Sequence, residues 1–270
     1  MLKINEEEVV TEITQFIKEY AEKAGKNRIV IGLSGGIDSS LIAKLASISI
    51  GNENVFTIFL PETATPLNDF EHSRMIAKNL NVSYEIIDIS SIIHSLVSHE
   101  EEINRIALGN IKARIRMVYL YKYANKIDAL VCGTSNKTEL LLGYFTKYGD
   151  GGSDFMPIGD LYKTQVYQIA RYLKLPEEII NKPPTAGLWK GQTDEKELGL
   201  SYEKIDKILY GIETKMELKK IADFAGVDIK EVERIYEMVR KNEHKRRLPP
   251  IPKVGFKTVG IDWRFPLQMK

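Results

Sequence analysis

The sequence predicts an α/β protein with a doubly wound, mostly parallel sheet flanked by helices. Three observations predict it. Four short apolar runs, RIVIGL (28–33), NVFTIFL (54–60), SYEIIDI (83–89) and DALVCGT (128–134), read as strands rich in β-branched residues. They lack the apolar–polar alternation of a half-exposed strand, which fits burial on both faces. Helical periodicities separate them, and strand–helix–strand–helix order implies parallel strands with crossover helices.

The first helix spans 5–24: Val9, Ile13, Phe16, Ile17, Tyr20 and Ala24 form one stripe, Asn5 and Glu8 have capping-box spacing, and Gly25 can end it. After the first strand, SGG turns the chain into a helix over 38–50. A helix over 66–80 follows the second strand, and a long one over 103–124, with a possible break near Gly109, follows the third. Beyond the fourth strand come a short helix over 136–142, the glycine-rich segment TKYGDGGSDFMPIGD, and a helix over 163–173. The segment 181–199, with two prolines and three glycines, reads as a long mobile loop, and long loops within domains are usually functional. Two helices close the pattern, around 213–224 and 228–242, before Pro249, Pro250 and Pro252 forbid helix. No linker divides the chain, so one domain over 1–270 is expected.

Composition narrows the function classes. The 270 residues carry 38 Lys plus Arg and 37 Asp plus Glu, a net charge of +1, which disfavours a nucleic-acid-coating protein. At 43% apolar and 28% charged the chain is ordinary for a globular protein. One cysteine excludes an intrachain disulfide framework and a multi-Cys metal site, and fits a reducing cytoplasm. The N-terminal MLKINEEEVV has acids where a signal peptide has bases, and no apolar run is long enough to span a membrane.

The strongest local signal is GLSGGIDSS (32–40), between a buried strand and a helix. Gly35 and Gly36 allow a sharp turn and close approach of a ligand. The helix N-terminus that follows offers free N–H groups and a positive dipole end, which suits phosphate, and Ser34, Ser39 and Ser40 add hydroxyls. Asp38 makes sense there if a divalent cation neutralises the phosphates. The plainer reading is a strand–turn–helix with Asp38 or Ser39 as N-cap. The loop lacks the lysine of Walker A, and no GxGxxG is present.

This loop resembles the PP-loop, SGGxDS, of the ATP pyrophosphatases, whose fold is the adenine nucleotide alpha hydrolase-like type. GNIKARIRM (109–117), CGTSNKTELLLGYFTKYGDGGSDFMPIGDLYKTQV (132–166), KPPTAGLWKGQTDEKELGLSYEKID (182–206) and EHKRRLPP (243–250) are together similar to ammonia-dependent NAD synthetase, in order and over nearly the whole chain. The resemblance implies amidation of deamido-NAD by ammonia through an NAD-adenylate, with ATP cleaved to AMP and pyrophosphate, Mg²⁺ as cofactor and a homodimer as the working form. It leaves no room for the glutaminase domain of glutamine-dependent relatives. Neither nucleic acid nor a membrane is implied as a partner.

By the same resemblance, ATP is held by Gly32, Leu33, Ser34, Gly35, Gly36, Ile37, Asp38, Ser39, Thr134, Lys163 and Thr185, and Mg²⁺ by Asp38 and Glu139. Glu139 is also placed for a capping box with Asn136, and a side chain committed to one role is expected to forgo the other. Lys163 at a helix N-terminus opposes the dipole, which hints at an anion, although a solvated lysine is the plainer reading. Deamido-NAD is matched to Arg114, Lys147, Asp154, His244 and Lys245. Arg114 and Arg116 are two apart on a helix and face different directions, and the motif favours Arg114. Asp150 is a candidate to attract ammonium and take its proton, or a turn residue among glycines; Trp189 equally covers a bound nucleotide or anchors the loop; Cys132 reads as core. The rival readings are another PP-loop ligase, such as a tRNA-modifying one, and a non-catalytic nucleotide-binding module that would have lost Asp38 and Glu139.

Overall fold

The structure, a computed structural model, describes residues 2–99, 102–189 and 191–263. Its elements are α1 (Glu6–Lys23), β1 (Ile29–Gly32), α2 (Ile37–Ile50), β2 (Val55–Phe59), α3 (Leu67–Leu80), β3 (Ser83–Ile86), α4 (Ser90–Val97), α5 (Arg105–Ile127), β4 (Leu130–Val131), α6 (Lys137–Leu142), α7 (Lys163–Tyr172), α8 (Glu177–Ile180), α9 (Asp194–Leu198), α10 (Tyr202–Glu213), α11 (Leu218–Ala225) and α12 (Ile229–Lys241).

The strands form a parallel sheet in the order β3-β2-β1-β4, with Ile29 opposite both Val55 and Leu130. The chain moves outward from β1 to β3 and then returns to the other side of β1. The carboxyl ends of β1 and β4 thus flank the point where the winding direction reverses, where open α/β sheets bind ligands. The unalternating pattern of β1 and β2 has a direct cause, whereas β3, expected to be buried over 83–89, ends at Ile86 and is largely exposed because it is the edge strand. Ile29 and Ile31 pack under Ile17 of α1, Leu41 and Leu45 of α2 and Val166 of α7. Val30 packs on the opposite face with Ile58, Val131 and Ile115 of α5. A further apolar cluster, with Ile205, Leu209, Ile221, Val232 and Ile235, joins α10, α11 and α12 to Leu142 of α6.

Several expectations change. β4 is two residues long, after which Cys132 bridges Phe155 instead of extending a strand through Thr134. α5 runs unbroken through Gly109, because that glycine serves packing: a Cβ there would lie 3.1 Å from Leu188 Cδ1. The 181–199 segment is not all loop, since it carries α9, and Lys190 within it lies outside the described residues. Three helices, not two, close the fold. The reading that began a helix at 213 missed α10, whose buried Tyr202, Ile205, Ile208 and Leu209 lie at helical spacing behind Ser201. Among the described residues no helix is long and apolar enough to cross a membrane.

Candidate active site

The turn after β1 opens the N-terminus of α2 into a cleft of about 410 Å³. Gly35 has φ +73°, and a Cβ there would stand 2.5 Å from the Asp69 carbonyl oxygen, so this turn needs glycine. The hydroxyls brace the turn: Ser34 N–H donates to Ser39 Oγ at 3.2 Å, Ser34 Oγ and Ser39 Oγ are 3.0 Å apart, and Ser40 Oγ donates to Gly36 O at 2.7 Å. Gly36 is the N-cap and supplies no side chain, so the first-turn N–H groups of α2 have no side-chain cap. That leaves the donors an anion requires. Gly32, Leu33, Ser34, Gly36, Ile37, Asp38, Ser39 and, three residues past β4, Thr134 all line the cleft.

Lys163, Asp38 and Glu139 meet at its floor. Lys163 is the first residue of α7 and only 2% exposed, so the solvated-lysine reading is corrected. Its ammonium donates to Asp38 Oδ2 and, at 3.3 Å, to Glu139 Oε1, and lies 5.3 Å from the Tyr202 ring centre. Asp38 Oδ1 accepts from Asn136 Nδ2 at 3.0 Å. The capping box of α6 is also formed: Glu139 N–H donates to Asn136 Oδ1 at 3.0 Å, and Asn136 N–H to Glu139 Oε2 at 3.3 Å. Glu139 thus caps with one oxygen and faces the Lys163 ammonium with the other.

Electrostatics follow from this enclosure. Burial alone would lower Lys163, but the Asp38 and Glu139 carboxylates overcome it and hold the ammonium protonated, well above the ordinary lysine range. Burial pushes Glu139 up to about 8, more than Lys163 pulls it back, with Asp38 and Asp194 adding to the rise. Asp194 is raised chiefly by burial and accepts hydrogen bonds from Tyr202 Oη at 2.9 Å and Tyr144 Oη at 3.2 Å. A buried carboxylate on α10, Asp206, ties the floor together: it accepts from Thr138 Oγ1 of α6 at 2.6 Å and Thr164 N–H of α7 at 2.8 Å, and Thr138 Oγ1 accepts from Lys163 N–H at 2.9 Å.

Asp150 lies on the cleft wall, where it accepts from Thr146 N–H at 2.9 Å. It touches cleft solvent, yet the enclosing walls raise its carboxyl above the usual range. Lys245 shares this wall, donates to Gly143 O at 2.7 Å and Phe145 O at 3.0 Å, and is lowered by burial against the pull of Asp150. Thr185 lines the opposite rim, where its Oγ1 accepts from Gly187 N–H at 3.1 Å.

The other expected residues lie outside the cleft lining. Arg114 is exposed and its Nε donates to Lys147 O at 3.3 Å, and Lys147 Nζ donates to His244 O at 2.8 Å. These three form a separate basic patch. Asp154 is engaged in the fold: its Oδ2 accepts from Val131 N–H at 2.7 Å and its Oδ1 from Tyr121 Oη at 3.1 Å. Burial raises the Cys132 thiol far above its ordinary range, as fits a core residue. The arginine that lines the cleft is Arg116, whose Nε donates to Leu60 O at 3.1 Å.

Other cleft residues went unread in the sequence. Lys182 donates to Asp69 Oδ1 at 2.8 Å and Gly35 O at 3.1 Å, tying the 181–199 segment to the phosphate turn. Its place just before Pro183-Pro184 was the available signal. Asn136, read only as a cap, also orients Asp38, and nothing local foretells that.

The site has the donor set of a nucleotide-activating centre: open helix N–H groups, an enclosed lysine and two carboxylates converging on one cation. The comparisons agree. The family model described as NAD synthase matches residues 9–249. The NH(3)-dependent NAD(+) synthetase of Methanocaldococcus jannaschii is 46% identical over 92% of this chain and 97% of its own length. Among solved structures, NMN synthetase from Francisella tularensis superposes with TM-score 0.83 at 34% identity, over 93% of this chain and 100% of that one. The NH3-dependent NAD synthetase of Campylobacter jejuni, in complex with the nitrate ion, gives 0.80 at 35%, over the same shares. With the phosphate turn at the switch point of the sheet and the match running through every cleft-forming segment, the chain belongs to the NAD synthase family.

Proposed function

We propose that this cleft carries out both halves of an ammonia-dependent NAD synthesis, with the residue roles given below. The chain amidates deamido-NAD to NAD, using ATP as co-substrate. The observation that carries the assignment of roles is the convergence of Asp38 and Glu139 on Lys163 beside the open N-terminus of α2.

In the first half-reaction the nicotinate carboxylate attacks the α-phosphorus of ATP, and the bond to pyrophosphate breaks. The α2 N–H groups and the Ser34 and Ser39 hydroxyls bind phosphate oxygens, while Lys163 and Thr134 hold the nucleotide at the strand ends. The donor chemistry fits Mg²⁺: two hard carboxylates stand at the cleft floor beside the open N-terminus of α2, where substrate phosphates would bring further oxygens. Asp38 and Glu139 would hold it, and when bound it supplies charge neutralisation for the phosphates. In the second half-reaction ammonia attacks the acyl carbon, AMP leaves, and the proton passes to Asp150, a carboxylate on the cleft wall whose enclosure raises its proton affinity.

Arg114, Lys147 and His244, outside the ATP cleft, bind deamido-NAD together with Asp154 and with Lys245, which lines the cleft wall. An exposed patch suits a dinucleotide covered by a second subunit. Exposed Ile92 and Leu96 on α4 and Ile106 and Val118 on α5 support a homodimer. A single NAD synthetase domain over 1–270, working in the cytoplasm, completes the reading.

The test is the purified protein with deamido-NAD, ATP, Mg²⁺ and ammonium, followed for NAD, AMP and pyrophosphate in equal amounts. ADP and orthophosphate as products would overturn the mechanism, and equal rates with glutamine as sole nitrogen donor would overturn the role of ammonia. A parallel arm with nicotinate mononucleotide separates NAD formation from NMN formation, the activity named for the Francisella protein.

A further inference from the structure

One face of α5 meets both loops that bound the cleft. Arg105, Gly109, Lys112 and Arg116 recur along it at helical spacing. The Arg105 guanidinium lies 4.5 Å from the Trp189 ring centre, and Gly109 leaves room for Leu188. Between these contacts and Arg116 sits Lys112, only 5% exposed. Its ammonium donates to Glu62 Oε1 at 2.7 Å and to Leu188 O at 3.0 Å.

These two acceptors belong to different loops. The Glu62 side chain is 7% exposed, and its second oxygen accepts from Ala64 N–H at 3.0 Å, while Glu62 N–H donates to Thr65 Oγ1 at 2.9 Å, so Glu62 shapes the 61–66 turn. Leu188 belongs to the opposite rim, where its N–H donates to Gln192 Oε1 at 2.8 Å. Thr65 and Leu188 both line the cleft. Among the described hydrogen bonds, Glu62 reaches the 183–189 segment only through Lys112. If the 183–189 segment lifts, a buried ammonium loses one of its two acceptors. If the 61–66 turn lifts, it loses its countercharge. Either loss is costly in an enclosed place, so the two loops open and close more cheaply together than singly.

We propose that Lys112 is a positioning residue that makes the 61–66 turn and the 183–189 segment close over the cleft as one unit. This deepens the proposed function and rests on it only for the consequence: joint closure keeps water from the acyl-adenylate while ammonia reacts.

The test is amide hydrogen exchange on the full chain, wild type, Glu62→Gln, Lys112→Met and the double variant, with melting temperatures for each. Glu62→Gln keeps the shape and removes the charge. It should speed exchange at 185–189, to which it does not belong, by about tenfold. In the Lys112→Met background the same change should alter 185–189 by less than twofold. The double variant has no unpaired buried charge at this position and so keeps the cycle readable if Lys112→Met alone folds poorly. In the single variants, AMP formed per NAD should rise above one at saturating ammonium, a shift that general destabilisation does not produce. Unchanged exchange at 185–189 in Glu62→Gln, or an equal effect of that substitution with and without Lys112, would overturn the coupling. A ratio of one alongside raised exchange would overturn its role in excluding water. Failure of the amidation reading itself would appear separately, as no NAD from the wild type, with the exchange cycle still decisive for Lys112.

Discussion

Lys163→Met removes the cation on which Asp38 and Glu139 converge and retains most of the side chain's volume. Lys163 is 2% exposed, whereas the Asp38 and Glu139 side chains are 17% and 16% exposed toward the cleft. Removing one partner of a buried pair typically costs ~3–5 kcal/mol. Cleft water reaching both carboxylates reduces this to roughly 2–3 kcal/mol. For a chain of this size that lowers Tm by about 5–10 °C. The loss depends on pH in a defined direction. Glu139 is raised to about 8 from 4.5, so the folded protein holds a proton that the unfolded chain releases across that window. Its ionisation therefore removes stability as pH rises from 4.5 to 8. Without Lys163 the cation opposing this rise is gone, and the window extends upward. The deficit of Lys163→Met relative to wild type is thus smallest near about pH 5 and largest above about pH 8. Glu139→Gln added to Lys163→Met leaves a single carboxylate and restores most of the loss. The assay is calorimetric unfolding of the wild type, both single variants and the double variant in EDTA, at acid, neutral and alkaline pH. A Lys163→Met protein as stable as wild type at alkaline pH, or a deficit that Glu139→Gln leaves untouched, would refute the reasoning.

Glu139→Ala lowers turnover by about a thousandfold, since metal stabilisation of phosphoryl charge is worth several kcal/mol. It costs only about 1 kcal/mol in the α6 cap; a fall in melting temperature with full activity would leave only the capping role. Arg114→Ala raises the KM for deamido-NAD roughly 10- to 100-fold, the worth of one charge-assisted contact, with little change in Tm. Arg116→Ala instead lowers Tm by freeing Leu60 O, so identical profiles for the two would reject the division between patch and cleft. Asp150→Asn slows amidation at limiting ammonium while ATP–pyrophosphate exchange, which reports adenylation, continues; equal loss of both would move Asp150 to the first step. Limited proteolysis within 183–199 slows when ATP and deamido-NAD are bound together, and identical cleavage with and without saturating ligands would remove the idea of a closing loop.

Much of this protein is written in neighbouring residues. Asn5, Glu8 and the Val9–Ile13–Ile17 stripe define α1 within a residue at each end, because capping and periodicity are local. The turn 33–36 is legible because φ +73° at Gly35 and an uncapped helix N-terminus are consequences of short-range sequence. Asp38, Glu139, Lys163, Thr134 and Thr185 were identified by motif, and all of them line one cleft. What the chain order could not express is direction across long separations. Lys163 meets Asp38 from 125 residues away, and only the packing of α7 against α2 turns an apparently solvated lysine into an enclosed countercharge. Glu139 serves cap and cleft at once because α6 points its second carboxylate oxygen at that lysine, a geometry no spacing rule contains. Arg116 faces the cleft and Arg114 faces away because the register of α5 is set by Ala113 and Ile115 going inward against the rest of the fold. Nothing local marks Lys112, since a buried ion pair is created by the tertiary enclosure, here by the 61–66 and 183–189 loops, that removes its water.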